Sequence, residues 1–432
     1  MAVPEKYKRM GDFHKYYSGQ ATAPVLTVVI GGNHEASNHL WELYHGGWLA
    51  PNIYFLGYAG CIQVNGIRIA GASGIYKQHD YQRGHFERQP YDKSTMRSIY
   101  HIREYNIRRL SLLSSPDVFL SHDWPRGIER FGDLNGLLRR KPFLRGDIET
   151  HQLGSPPLMS LLLNLKPTWW FAAHLHARFE ARVRHDLPEL TSSSSGPAPV
   201  EAAGAGAKSN PDEIVIGDLD NIDDDELNDK EVPNNNSSSS TTAAGVPLTG
   251  STPAAAPAAQ NPDEITLDEE IETVGPPPPL RETKFLALDK CLPRRQFLEV
   301  IDIPAREETT GREPSVRLCY DPEWLAITRA FQPYLSIQRG QAINYPDPDG
   351  AREAVAREWD WVHAHVPLKL DATTVSSSSS PSPSSFTTSS PSPSGWRIEG
   401  CQRFVSGGGS DGARQQTEAF TALLEMENVI AQ

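Results

Sequence analysis

Short apolar runs, each followed by polar residues, dominate the first part of the chain. Residues 25–30, 118–120 and 169–173 form three such runs, and a histidine follows closely after each of them. Continuous apolar runs of this length are typical of strands buried inside a sheet. In sheets covered by helices, ligand sites form at the carboxyl ends of the strands. The pattern therefore predicts that polar groups from three separate places in the chain converge.

The remaining pattern predicts a mixed set of elements. An Asn65-Gly66 pair inside 62–69 indicates a hairpin. Ile99, Ile102, Leu110 and Leu113 fall on one stripe at 100° per residue, which predicts a single amphipathic helix with Arg97, His101 and Arg108 on its opposite face. Further elements are predicted as a capped helix after Ser155, strands within 285–303, helices over 321–331 and 352–365, and a short terminal helix ending at Leu423-Leu424.

Composition shows that part of the chain does not belong to this folded pattern. Only 38% of the 432 residues are apolar, below the roughly 45–50% of a well-packed chain, and the net charge is −13. The acidity is concentrated in 187–280, where 18 Asp or Glu face two Lys. The first 186 residues carry 23 Lys or Arg against 16 Asp or Glu. The acidic total therefore does not exclude a nucleic-acid partner for the motif-bearing block.

These changes of composition and charge along the chain predict five segments. They are a folded core over 1–186, an acidic disordered linker over 187–280, core-completing strands with a helical region over 281–366, a Ser/Pro-rich disordered linker over 367–395, and a C-terminal segment with a short helix over 396–432. The polar N-terminus and the lack of long apolar stretches support neither secretion nor a membrane span. Four scattered cysteines without a CxxC pair indicate reduced thiols, in cytosol or nucleus.

Twelve of the 14 histidines lie in the first 186 residues, and the strand-end members suggest metal chemistry. Neutral imidazole and amide oxygen are ligands for zinc, iron or manganese. A single strand-end histidine is more often a hydrogen-bonded structural residue. Three in order, one of them inside Gly32-Asn33-His34-Glu35, favour a metal site in which His34 stays available as an acid or base.

These motifs resemble the calcineurin-like metallophosphoesterases, and within them the RNA lariat debranching enzymes. The resemblance covers about 1–186 and 281–335. Its motifs are Met1-Ala2-Val3-Pro4, 30–38, Gly46-Gly47-Trp48, 51–54, Ser73-Gly74-Ile75, Ser121-His122-Asp123-Trp124-Pro125, Ala173-His174-Leu175-His176 and 283–293. It implies a four-layer α/β/β/α sandwich, incomplete at its N-terminal edge, with long disordered insertions.

The resemblance also implies a set of residue roles. Asn33, His122 and His174 would bind one metal, His176 the second position of a binuclear-type site holding Fe²⁺, Zn²⁺ or Mn²⁺, and His34 would protonate the leaving oxygen. The implied reaction is hydrolysis of the 2′–5′ phosphodiester at the branch point of excised intron lariats. The implied partners are lariat RNA and splicing-associated proteins, with no membrane and no DNA. The implied location is the nucleus, with shuttling to the cytoplasm left open.

One departure from the family pattern concerns the beginning of the printed sequence. Before Met-Ala-Val-Pro the family has a strand ending in Cys-x-His or Asp-x-His and another ending in Gly-Asp. Gly11-Asp12 follows residues too polar for a buried strand, so we interpret it as coincidental. The resemblance therefore leads us to expect a start-truncated gene model or isoform that binds metal poorly.

A polar stretch rich in aromatic residues, 76–88, resembles the family's lariat-recognition loop, and we call it the recognition segment. Lys or Arg beside Tyr or Phe suits phosphates and unstacked bases. The predicted substrate-binding residues are Lys77, Tyr81, Arg83, His85, Arg97 and His101. An ordinary surface loop is the alternative for this stretch. For the whole protein, the alternatives are a catalytically inactive RNA-binding form and a metallophosphoesterase acting on phosphoproteins or nucleotides.

Overall fold

The computed structural model describes residues 8, 11–185, 281–304, 316–340, 343–375, 398 and 411–431. The strands are β1 (Thr27–Val29), β2 (Gly47–Ala50), β3 (Ile53–Phe55), β4 (Ala59–Val64), β5 (Ile67–Ala72), β6 (Val118–Ser121), β7 (Trp169–Ala172), β8 (Phe179–Arg184), β9 (Glu282–Ala287) and β10 (Leu318–Tyr320). The α-helices are α1 (Phe13–Tyr17), α2 (Ser37–Glu42), α3 (Gln78–Tyr81), α4 (Thr95–Ser98), α5 (Glu104–Ser111), α6 (Leu134–Arg140), α7 (Arg145–Glu149), α8 (Pro156–Leu165), α9 (Pro322–Phe331), α10 (Pro348–Val375) and α11 (Asp411–Leu423). Short 3₁₀ helices cover Ile128–Phe131, Pro142–Leu144, Gln332–Tyr334 and Val429–Ala431.

The strands form two sheets. The smaller has the order β1-β3-β2, and the larger has the order β10-β4-β5-β6-β7-β9-β8. Strands β5, β6, β7 and β9 run parallel to their neighbours in that series, whereas β4, β8 and β10 pair antiparallel. The predicted α/β fold is confirmed. Strand β9 comes from beyond residues 186–280 and lies between β7 and β8.

Successive side chains of each strand point to opposite faces of its sheet, and this divides the core into layers. Phe119 and Trp170 face α5 and α8, and their rings stack with centroids 4.1 Å apart. Ile69 points to the other face of the larger sheet and lies in one cluster with Tyr54 of the smaller sheet. The next residue, Phe55, belongs instead to the cluster on the outer face of the smaller sheet, which includes residues of α2 and α11. The layers therefore follow the predicted α/β/β/α order, because successive strand residues face opposite ways.

Several local predictions are confirmed. Asn65 and Gly66 both have positive φ, 48° and 77°, as a type I′ hairpin turn between β4 and β5 requires. Ser155 caps α8 by accepting the Leu158 N–H, and Asp321 caps α9 by accepting the Trp324 N–H. The helices predicted over 352–365 and before Leu423-Leu424 are present as parts of α10 and α11.

The single amphipathic helix predicted around 97–113 is wrong. The segment forms α4 and α5 with a break between them, although all four apolar residues of the predicted stripe are buried. At the break, Ile102 N–H donates to the Ile75 carbonyl, and a Cβ on Gly74 would lie 1.9 Å from the Tyr100 carbonyl oxygen. The backbone at 100–102 therefore pairs with the backbone at 74–75 and does not continue the helical hydrogen bonds of α4. His101 is consequently buried rather than exposed on a solvated face.

Two further predictions need correction, and several lie outside the described residues. Within 285–303 only β9 is a strand, and Leu298 and Val300 are 75% and 91% exposed, with no strand paired to them in the described part of the chain. Helix α10 continues to Val375, past the predicted linker boundary at 367. The acidic linker predicted over 187–280 and the part of the Ser/Pro-rich linker over 376–395 lie outside the described residues. Among the described helices, none is both long and apolar enough to cross a membrane.

Candidate active site

Loops from both sheets meet at the carboxyl ends of β1, β6 and β7. Asn33 follows β1, His122 follows β6 and His174 follows β7. His122 Nε2 donates to Asn33 Oδ1 over 3.0 Å, and the His122 and His174 rings have centroids 4.9 Å apart. We call these three residues the donor cluster. The structure thus brings together the three residues predicted to bind one metal.

His34 lies beside the donor cluster. Its Nε2 is 3.4 Å from Asn33 Nδ2, and its Nδ1 is buried with no hydrogen-bond partner among the described residues. Both His34 and His176 are close enough to His122 to lower its pKa. The two remaining predicted residues are therefore at the same edge of the sheet.

Backbone conformation at the site is unusual. His174 and His176 have φ of 63° and 49°, in the left-handed region that non-glycine residues rarely occupy. On the facing loop, a Cβ on Gly32 would lie 2.6 Å from His122 Cε1. Strained positions of this kind persist where the surrounding structure holds them, and they cluster at functional sites.

Burial keeps the imidazoles of the donor cluster neutral. Burial lowers the pKa of His122 to about 3, with further lowering by His174, His34 and His176. Burial also lowers the pKa of His174, although the Asp123 carboxylate opposes this effect. Neutral imidazole is the form that binds a metal ion. One amide oxygen and two neutral imidazoles are a donor set that suits a divalent metal ion.

Asp123 is a functional candidate to which sequence reasoning assigned no role. Its buried carboxylate accepts the Tyr76 N–H at 3.1 Å and the Trp124 N–H at 3.0 Å. Burial raises the pKa of this carboxyl group, and nearby His174 and Lys77 lower it. Asp123 therefore connects the first residue of the recognition segment to the loop after β6, which carries His122. Its position directly after a proposed ligand was the only available signal.

The predicted substrate-binding residues have different environments. Lys77 is half-buried and near enough to His174 to lower its pKa, Tyr81 is half-buried, and Arg97 is exposed on α4. His85 is 1% exposed, and its ring lies against those of Trp41, Tyr44 and Tyr58. The prediction that His85 contacts RNA is therefore corrected, because aromatic rings enclose it.

Arg83 and His101 both bind Asp80. The distances are 2.6 Å from Arg83 Nη1 to Asp80 Oδ1 and 2.7 Å from His101 Nδ1 to Asp80 Oδ2. The side chains of His79, Asp80 and His101 bring three possible metal-ligand atoms within 4.8 Å of one another. No other group of three or more His, Cys, Asp or Glu side chains does so among the described residues. Two guanidinium groups, from Arg83 and Arg103, already compensate the Asp80 charge. We therefore interpret this cluster as an ionic anchor of the recognition segment.

Gly32→Ala should weaken metal binding at the donor cluster. The added Cβ would meet the His122 ring at 2.6–2.9 Å, so the ring must move away from Asn33. We expect Mn²⁺ affinity, measured by titration calorimetry, to fall about 10–100-fold, the range seen when support of a ligand is lost. Gly146→Ala is the control, because nothing lies within 4 Å of a Cβ there. Equal affinities of the two variants would contradict the expectation.

Comparison with known proteins identifies the relatives of this chain. The family model described as "Lariat debranching enzyme, C-terminal domain" matches residues 280–429. The lariat debranching enzyme of Schizosaccharomyces pombe is 41% identical over 370 residues, which cover 84% of this chain and 75% of that protein. The lariat debranching enzymes of Drosophila pseudoobscura pseudoobscura and Homo sapiens are 44% and 39% identical over 78% and 84% of this chain. The chain spans only 52% and 49% of those two relatives, about half their length.

Proposed function

The chain belongs to the lariat debranching enzyme family, and on that basis we propose that it hydrolyses the 2′–5′ phosphodiester of branched RNA. The observation that carries the proposal is the convergence of Asn33, His122 and His174 with His34 beside them. Relatives that are about 40% identical to this chain over the aligned residues are named lariat debranching enzymes. The substrate is therefore excised intron lariats, and we propose the nucleus, where introns are removed, as the location.

The donor cluster would hold one divalent ion, with His176 at the second position. Fe²⁺, Zn²⁺ and Mn²⁺ suit these ligands. When bound, the metal supplies a water of lowered pKa and neutralises charge on the phosphate. Each oxygen of Asp123 accepts one backbone N–H, so we assign this carboxylate to positioning the recognition segment.

His34 would carry the proton for the leaving 2′ oxygen. Its Nδ1 is buried, whereas its Nε2 faces the Asn33 amide at the donor cluster. Asn33 Nδ2 can only donate, so Nε2 accepts in this geometry and must first take up the proton that it then gives to the leaving oxygen. Lys77, which lies near His174 at the start of the recognition segment, supplies positive charge for the substrate phosphate.

The test is cleavage of a synthetic RNA that contains one 2′–5′ branch. We expect conversion to linear RNA with Mn²⁺, Fe²⁺ or Zn²⁺ and loss of the reaction on chelation. A 3′–5′ linear RNA of the same sequence is the matched substrate and should remain intact. If none of the three metals supports branch cleavage, the proposed function is wrong for this chain.

Asp123→Asn should raise KM for branched RNA about 10-fold, because one buried N–H loses its acceptor and the recognition segment loosens beside Lys77. The same loss should lower the free energy of unfolding by about 1–3 kcal/mol. Asp117→Asn is the matched control, since Asp117 accepts the Arg68 N–H at 2.9 Å away from the site. Steady-state kinetics and urea denaturation measure both effects. An equal KM in the two variants would argue against a role for Asp123 in substrate placement.

A further inference from the structure

Helix α11 packs against the edge of the smaller sheet. Strand β2 is paired with β3 on one side and stands at the end of the order β1-β3-β2. On its other side, Gln416 Oε1 accepts the Trp48 N–H at 2.7 Å, and Gln416 Nε2 donates to the Trp48 carbonyl at 3.0 Å. One side-chain amide thus makes the two bonds that a neighbouring strand would otherwise make.

The sequence leaves room for this amide. Gly47 precedes Trp48 with φ of 154°, and a Cβ there would lie 2.8 Å from Gln416 Oε1 and 2.8 Å from Leu43 Cδ2. Glycine therefore allows the close approach of α11 to β2. Gln416 itself is 8% exposed, so both of its bonds are shielded from water.

The same helix holds α2, which follows the loop that carries Asn33 and His34. Thr417 Oγ1 donates to the Glu42 carbonyl at the end of α2, and Phe420 stacks on His45 with ring centroids 5.1 Å apart. Nearer the start of α2, Leu40 packs so close to Gly31, the first residue of that loop, that a Cβ added to Gly31 would lie 2.9 Å from Leu40 Cδ1. A continuous series of contacts therefore joins α11 to the loop 31–35.

We propose that Gln416 is a positioning residue for the debranching reaction, acting through α11 and α2 on the loop that holds Asn33 and His34. The inference rests on the proposed function for its kinetic readout. Gln416 touches neither the donor cluster nor the recognition segment in any contact described above. Its loss should therefore misplace the reacting groups more than it weakens RNA binding. A displacement of about 1 Å in such groups can reduce turnover about 100-fold.

The experiment compares Gln416→Ala with Gln415→Ala, the same change at the exposed neighbour on α11. We expect Gln416→Ala to lower kcat for branched RNA about 10–100-fold with little change in KM. Hydrogen exchange should become faster at the Trp48 amide and in α2. Gln415→Ala should match the wild-type protein in kcat, in KM and in hydrogen exchange at both places. Wild-type kcat in Gln416→Ala, or unchanged exchange in α2, would overturn the proposal.

Thr417→Val serves as the second variant if Gln416→Ala does not fold. It keeps the shape of the side chain and removes only the hydroxyl donor to Glu42. Faster exchange in α2 together with a lower kcat supports the proposal, and the absence of either contradicts it. If the wild-type chain cleaves no branched RNA, the proposed function fails, and exchange in α2 then decides by itself whether α11 positions the loop.

Discussion

His34→Gln should lower kcat for branched RNA about 10²–10⁴-fold, because the leaving 2′ oxygen would lose its proton donor. Glutamine retains hydrogen-bonding groups near Asn33 but cannot transfer a proton at neutral pH. Metal binding should be nearly unchanged, since His34 is not a member of the donor cluster. Steady-state kinetics and Mn²⁺ titration calorimetry measure the two quantities.

The matched control is His14→Gln, which changes an exposed histidine on α1. His14 Nδ1 donates to the Gly11 carbonyl over 2.6 Å, and this residue takes no part in the contacts that join α11 to the loop 31–35. Its variant should keep kcat within a small factor of wild type. A similar kcat in His34→Gln would mean that another group protonates the leaving oxygen.

Arg103→Met should reduce the free energy of unfolding by about 3–5 kcal/mol, because it leaves a buried carboxylate without its partner. Arg103 Nη2 donates to Glu87 Oε1 over 2.6 Å, and both side chains are fully buried. Arg103 Nη1 also donates to the Asp80 carbonyl at 2.7 Å. One guanidinium therefore holds two parts of the recognition segment.

Urea denaturation measures this loss of stability. Two further variants show how much of it comes from the buried, unpaired charge. Arg145→Met breaks an exposed pair with Glu149 and should cost about 0.5 kcal/mol or less. Adding Glu87→Gln to Arg103→Met removes the unpaired charge and should recover part of the stability. If Arg103→Met costs no more than Arg145→Met, the buried ion pair does not stabilise the recognition segment.

Local patterns in the sequence were sufficient to predict the three strands after which the site residues lie. The apolar runs before Asn33, His122 and His174 became β1, β6 and β7, since a buried strand requires little beyond a short apolar run with β propensity. The hairpin at Asn65-Gly66 likewise depends on two residues that tolerate positive φ. The α/β/β/α fold was available mainly through family resemblance.

Features that depend on distant partners were missed. Nothing near His85 in the sequence indicates the aromatic rings of Trp41, Tyr44 and Tyr58 that enclose it. Gln416 lies 368 residues from the backbone groups that it binds. Periodicity counts only neighbours along one helix, so it could not anticipate either contact.

The position of β9 has a consequence for the nascent chain. Strand β8 ends at Arg184, yet the strand that joins it to the larger sheet begins at Glu282. At about 5–20 residues per second, synthesis of the intervening stretch takes roughly 5–20 s. During that interval Phe179 and Val183, both buried in the folded protein, lack the strand that carries them into the sheet. The insertion therefore lengthens the time for which these apolar side chains of a growing chain lack their partner strand.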